Sequence, residues 1–172
     1  KLRKKLRQLG ALGYAVFFLD ESTFNLKPYF IHGWYRRGSR PTQVYVWNRM
    51  QKVHVFGALS KDGTITKLSP KINGRKFLSF MKRLHKRHRE LCIVLDNARW
   101  HLTKDVMRYV KKYNIKMIRL LPYSPELNPI EQYWKNIKQW LGTREFYDKE
   151  QLHTQLLKAL RKDILMPRIS DY

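Results

Sequence analysis

The chain has 172 residues, 43% of them hydrophobic, with 36 Lys+Arg against 13 Asp+Glu and a formal net charge of +23. That apolar share suits one domain with a real core and excludes a disordered tail, while the charge imbalance costs self-repulsion and points to a polyanionic partner, nucleic acid before an anionic membrane surface. The single cysteine, Cys92, excludes an internal disulfide and cysteine-rich zinc sites, and no apolar run approaches the ~20 residues that span a bilayer.

The opening KLRKKLRQLG is a basic lead-in, the end of a helix or a linker, with no long apolar core of a secretory signal behind it. The missing initial Met reads as a fragment or a trimmed chain. YAVFFLDE (Tyr14 to Glu21) is a continuous apolar run closing on acids, expected to be a central strand covered on both faces. Phe24 to Trp47, with HGWYRRGSRP at its middle, reads as an irregular loop or long hairpin. KVHVFGALS and TITKL, joined by the turn signal KDG, complete an antiparallel meander. Asn73 is expected to cap a helix with Phe77, Phe80, Met81 and Leu84 on one face and Arg75, Lys76, Lys82, Arg83 and Lys86 on the other.

LCIVLD (Leu91 to Asp96) is a fourth strand, with Cys92 a small buried hydrophobe. Thr103 caps a helix with the stripe Val106, Met107, Val110 and Tyr113, and KMIRLL is a fifth strand. Behind the proline loop, Asn128, Pro129 and Glu131 have the spacing of a capping box at the head of a helix running to about Leu141. A last helix, about Lys149 to Ile164, carries Leu152, Leu156, Leu160 and Ile164 on one face. Strands alternating with helices in the second half imply parallel crossovers, so the expected fold is α/β, a mixed five-stranded sheet of three antiparallel strands plus two parallel, flanked by helices. Residues 1–13 are read as a lead-in or linker stub and 14–172 as a single domain.

With only 13 acids, their placement is informative. Asp20 ends the first strand, Asp96 ends the fourth, and Glu131 opens the helix after the fifth; functional groups of open α/β sheets collect at that edge. Clustered carboxylates repel one another, and a hard divalent cation such as Mg²⁺ resolves the repulsion. Two such ions about 3.5–4 Å apart can clamp an in-line attack on a phosphodiester while the basic surface holds the nucleic-acid backbone. Each acid taken singly is also explained as a turn or cap residue.

FFLDES, GWYRRGSRP, VLDNARWH and LLPYSPELNPIEQYW together resemble the catalytic domain of DDE transposases, in the branch of mariner-type elements and related prokaryotic insertion sequences. Residues 97–130 separate Asp96 from Glu131, a spacing similar to that branch, and the resemblance covers about residues 14 to 142. It implies an RNase H-like fold and a metal-dependent endonuclease and DNA strand transferase, with Asp20, Asp96 and Glu131 as catalytic metal ligands, Mg²⁺ as cofactor (Mn²⁺ as substitute) and two ions during catalysis. It also implies double-stranded DNA as partner, both transposon ends and a target that is commonly TA, a homodimer in the active complex, and no membrane. A prokaryotic relative would work in the cytoplasm, a eukaryotic one in the nucleus. The family's helix-turn-helix region is represented only by the basic stub, so end specificity is not expected of this stretch. The readings left beside this one are a catalytically silent DNA-binding remnant and another RNase H-like nuclease.

Several neighbours join the candidate site. Glu21 points to the opposite face of the strand from Asp20, a salt-bridge or supporting group. Asn97 and His101 follow Asp96; His101 either contacts a phosphate, orients a ligand, or is a surface or capping histidine. Asn128 fixes the start of the helix that carries Glu131. Trp34, Arg36 and Arg37, with Tyr35, form an aromatic-basic cluster suited to DNA or a partner subunit. Arg75 and Lys76 are candidate DNA contacts, and Trp134 and Trp140 are assigned to the core.

Overall fold

The computed structural model describes residues 2–26, 29, 34, 36–39, 48–122, 124–167 and 169. In chain order it has helix α1 (Leu2–Ala11), strands β1 (Ala15–Leu26), β2 (Asn48–Ser60) and β3 (Gly63–Ser69), helix α2 (Gly74–Arg87), strand β4 (Leu91–Leu95), a 3-10 turn (Arg99–Leu102), helix α3 (Lys104–Lys112) and strand β5 (Lys116–Arg119). A second 3-10 turn (Pro125–Leu127), helices α4 (Pro129–Gly142) and α5 (Lys149–Leu160) and a last turn (Asp163–Leu165) follow. The strands form one sheet in the order β3-β2-β1-β4-β5. The β1–β2 and β2–β3 pairs are antiparallel, and the β1–β4 and β4–β5 pairs parallel, as expected.

β1 is the hinge of the architecture, because its period-2 alternation feeds both faces of the sheet. Phe17 and Leu19 pack with Phe77, Phe80, Met81 and Leu84 of α2 and with Val106 of α3. Val16 and Phe18 pack on the other face with Leu6 of α1, and with Cys92 and Val94. Further along that face, α4 and α5 bury Ile130, Trp134, Ile137, Leu152 and Leu156 against Phe24, Val53 and Val55. The basic lead-in is therefore a helix whose Leu6 is 1% exposed. Cys92 is buried as expected, and burial pushes its thiol up to about 11.

The structure corrects several boundaries. β1 runs on to Leu26, past the acids that seemed to close it, because Ser22, Phe24 and Leu26 continue the buried alternation and pair with β2. Most of the expected loop 27–47, including Tyr35, lies outside the described residues. Asn73 caps α2 through its side chain, which accepts from the Lys76 N–H, whereas Thr103 makes no such bond to α3. In the α3 stripe Val106 is fully buried while Met107 and Tyr113 stay exposed, since this nine-residue helix covers little of the sheet. α5 stops at Leu160, and Ile164 lies in the turn beyond it with its side chain in solvent.

Candidate active site

The parallel pairing of β1 with β4 ends at Phe18 opposite Val94. Two residues further along each strand stand Asp20 and Asp96, on the same side of the sheet by the same alternation. Glu131 lies in the first turn of α4, where the positive end of the helix dipole favours an acid. All three line one cleft of about 430 Å³, together with Asn97, Ala98, Leu120, Leu121, Pro122, Ser124 and Asn128. A larger cavity of about 530 Å³ at the opposite end of β1, bordered by Arg7, Tyr14, Lys61 and His88, includes only Asp62 among acids, so chemistry and not volume marks the site.

Asp20 is half-committed: its Oδ2 accepts a 2.9 Å hydrogen bond from the Trp134 indole N–H. Burial, then the charge of Glu131, then that of Glu21 push its carboxyl up from 3.8 to about 7, against the hydrogen bonds from the Glu21 backbone and Trp134. Sequence reasoning placed Trp134 in the core, and it is 1% exposed there, but it missed this second role. The available signal was the spacing: Glu131 and Trp134 stand three apart on one helix, and a buried indole N–H seeks an acceptor.

Asp96 is also held by one oxygen. Its Oδ1 accepts from the Ala98 N–H at 3.0 Å and lies 3.1 Å from Nδ1 of His101. That second approach is at an ion-pair distance. The contact with His101 holds the Asp96 carboxyl below its usual range, although burial opposes it. His101 is only 1% exposed, which corrects the surface reading. Its Nε2 lies 3.0 Å from Oε1 of Glu21, and Glu21 Oε2 accepts from the Trp100 indole N–H at 3.3 Å. Burial alone lowers the imidazole, but Asp96 and Glu21 outweigh it and raise it to about 9, so the ring is a cation at neutral pH.

The capping box does not form as expected. Asn128 occupies the N-cap position, but its Nδ2 donates to the Leu19 carbonyl at 3.2 Å and makes no side-chain cap bond. Leu19 is the first β1 residue past the pairing with β4, and Asn128 meets its carbonyl there. Among the described residues the Asn128 Oδ1 is buried without a partner. Asn97 ties the ends of β4 and β5 together, its Nδ2 donating to the Leu120 carbonyl at 2.8 Å.

The other candidates lie apart from the acids. Trp34, Arg36 and Arg37 are exposed and none of them lines the cleft. Arg75 and Lys76 open α2, whose Gly74 abuts Thr103 and the Trp100 carbonyl so closely that an added Cβ would meet Thr103 at 2.7 Å. Both cations thus sit beside the turn that carries His101.

The three acids supply only carboxylate oxygens, the donor set of a hard divalent cation. Among the described residues no Lys or Arg pairs with any of them, the one such pair being Arg108 with Asp105. Burial first, and then the charge of Glu131, push the Asp20 carboxyl up to about 7. Such a set fits a divalent cation. Among the described residues, however, no three His, Cys, Asp or Glu side chains already converge into an ion-holding group.

A family model described as DDE superfamily endonuclease matches residues 15–153. An uncharacterized protein of Sinorhizobium fredii, y4pE/y4sA, is 36% identical over 76 residues, 44% of this chain and 54% of that protein. Among solved structures, the Mos1 transposase paired-end complex with left transposon end superposes with TM-score 0.71 at 18% identity, covering 94% of this chain and 52% of that one. The mariner Mos1 paired-end complex with Mg gives 0.73 at 17% identity, covering 97% and 54%. The Mos1 transposase catalytic domain with raltegravir and Mn gives 0.65 at 15%, covering 96% and 84%. At these identities the likeness establishes the RNase H-like fold, and the chain spans about half the length of the Mos1 chains in the DNA complexes.

Proposed function

Because the chain belongs to the DDE superfamily endonucleases, we propose that it is a transposase catalytic domain, with Asp20, Asp96 and Glu131 as its reacting-site acids. It cuts DNA at transposon ends and joins the freed 3′-hydroxyls to target DNA. The observation that carries this reading is the shared cleft of the three acids, two of them charge-coupled and none neutralised by Lys or Arg among the described residues.

Both steps are in-line displacements at phosphorus. Hydrolysis bonds the oxygen of water to phosphorus and frees a 3′-hydroxyl. Transfer bonds that hydroxyl oxygen to a target phosphorus and releases the target's own 3′-hydroxyl, with no covalent enzyme intermediate. Asp20, Asp96 and Glu131 would hold Mg²⁺, or Mn²⁺ in its place, as a pair of ions in the active complex. When bound, such ions supply the positive charge that the attacking and leaving oxygens need. Trp134 and His101 each hold one oxygen of an aspartate, so the second oxygen is the one offered to the cleft. Arg75 and Lys76, at the head of α2, meet the backbone of double-stranded DNA, and Trp34, Arg36 and Arg37 meet DNA or the second subunit of a homodimer. The target is a TA step, and the protein acts in the cytoplasm of a prokaryotic host. Residues 14–172 form the catalytic unit, with α1 packed onto it. Among the described residues no helix is long and apolar enough to cross a membrane.

One observation favours the rival reading, a DNA-binding remnant: the acids form no ready three-ligand group among the described residues. Asp96→Asn separates the two. Nicking of supercoiled plasmid in Mg²⁺ or Mn²⁺ should disappear while DNA binding persists and weakens steeply with salt. Nicking by the variant sinks the triad assignment, and a wild type that binds but never nicks establishes the remnant.

A further inference from the structure

Glu21 is not among the residues that line the cleft of the other three acids. It follows Asp20 in β1 but faces the other side of the sheet, and its side chain is 5% exposed. No Lys or Arg accompanies it among the described residues; its partners are Nε2 of His101 at 3.0 Å and the Trp100 indole N–H at 3.3 Å. Burying a carboxylate is costly, and a buried ion pair is often no more stable than an apolar replacement. This placement needs another reason.

His101 supplies it. The ring is buried against Phe77, with centroids 4.4 Å apart, and its two nitrogens face Glu21 on one side and Asp96 Oδ1 on the other. A ring held from behind can turn only so far, and Asp96 needs that restraint. Its side chain is 58% exposed, and among the described residues only Oδ1 is engaged, by the Ala98 N–H and His101. Left alone, such a side chain samples several rotamers.

We propose that Glu21 and His101 are positioning residues: Glu21 fixes the His101 ring, and the ring fixes the Asp96 carboxylate with Oδ2 toward the cleft. The inference rests on the transposase reading above. It follows a general pattern in which a carboxylate orients a histidine that in turn orients a reactive group, and loss of such supporting partners typically costs 10–100-fold in metal affinity or activity. Trp134 does the same for Asp20 from the opposite face of the sheet.

The test is Glu21→Gln in the whole chain, which keeps the shape and loses the charge. Three quantities are read beside wild type: Mn²⁺ affinity by electron paramagnetic resonance, plasmid nicking rate, and affinity for duplex DNA. The expected result is Mn²⁺ affinity and nicking both reduced about 10–100-fold with DNA affinity unchanged, and Glu21→Asp recovering part of the loss. A folded Glu21→Gln protein with wild-type Mn²⁺ affinity and nicking overturns the positioning role. A wild type that neither binds Mn²⁺ nor nicks instead removes the reading beneath it. Should Glu21→Gln not fold, the wild type still decides: with ¹⁵N-labelled histidine, Mg²⁺ should shift the His101 ring resonances, and no shift at saturating Mg²⁺ refutes the linkage.

Discussion

Replacing Asp20 by Asn should stabilise the metal-free protein, and only above a definite pH. The Asp20 carboxyl ionises at about 7 in the folded chain against 3.8 for the free group. Between those values the unfolded chain has lost the proton and the folded one keeps it, so wild-type stability falls as pH rises through the window. Each pH unit is worth about 1.4 kcal/mol, so the penalty reaches roughly 4 kcal/mol above pH 7. Asn has no charge to bury, and its carbonyl oxygen can still accept from the Trp134 indole. The two proteins should melt alike near pH 4 and diverge above it, with Asp20→Asn higher by on the order of 10 °C at pH 8. The assay is thermal melting followed by circular dichroism from pH 4 to 9 in a chelator. Adding Mg²⁺ at pH 8 should then raise the wild type and leave Asp20→Asn nearly unmoved. Parallel curves for the two proteins across this range would refute the burial and Glu131 repulsion assigned to Asp20.

Trp134→Phe keeps a ring but loses the bond to Asp20, and should lower plasmid nicking about 10–100-fold while DNA affinity holds. Gly57→Ala should do likewise by a different route: its Cβ would stand 2.5 Å from the Trp134 ring and 2.9 Å from Ile130 Cδ1, displacing the indole and costing about 1–3 kcal/mol in urea melts. Changing both Arg75 and Lys76 to Ala should weaken duplex binding at all sequences alike and reduce the slope of log affinity against log salt by roughly 1–2. Crystals soaked in Mn²⁺ should show an anomalous peak between Asp20 and Asp96, and a peak away from both acids contradicts the assignment.

What the sequence disclosed, it disclosed through period and chain order. The stripe Phe77, Phe80, Met81 and Leu84 is wholly buried, as its spacing requires. Asp20 and Asp96 were legible as neighbours because each ends an apolar run and parallel strands align their ends. The full length of β1 was not legible, because two acids interrupt the apolar run before Ser22, Phe24 and Leu26 continue the same alternation. The partners were not legible. Glu21 meets His101 from 80 positions away, and Asn128 reaches Leu19 from 109, and no local spacing encodes contacts that only the folded sheet creates. The capping box failed for that reason: a long-range acceptor won the side chain that local rules had assigned to the helix end.

The distribution of charge supports the proposal that this cleft is the reacting site. With 36 Lys and Arg in the chain, a stray buried acid could readily have found a cationic partner. Instead, Asp20, Asp96 and Glu21 are met, among the described residues, only by neutral donors and one histidine, and no Lys or Arg pairs with Glu131. Arginines there would cancel the charge and close the cleft; an indole N–H and an imidazole each hold one oxygen of an aspartate instead. The cost is visible in Asp20, which the site cannot fully ionise unaided at neutral pH. A divalent cation arriving from outside would relieve the repulsion between Asp20 and Glu131, which is the common purpose proposed for the three acids.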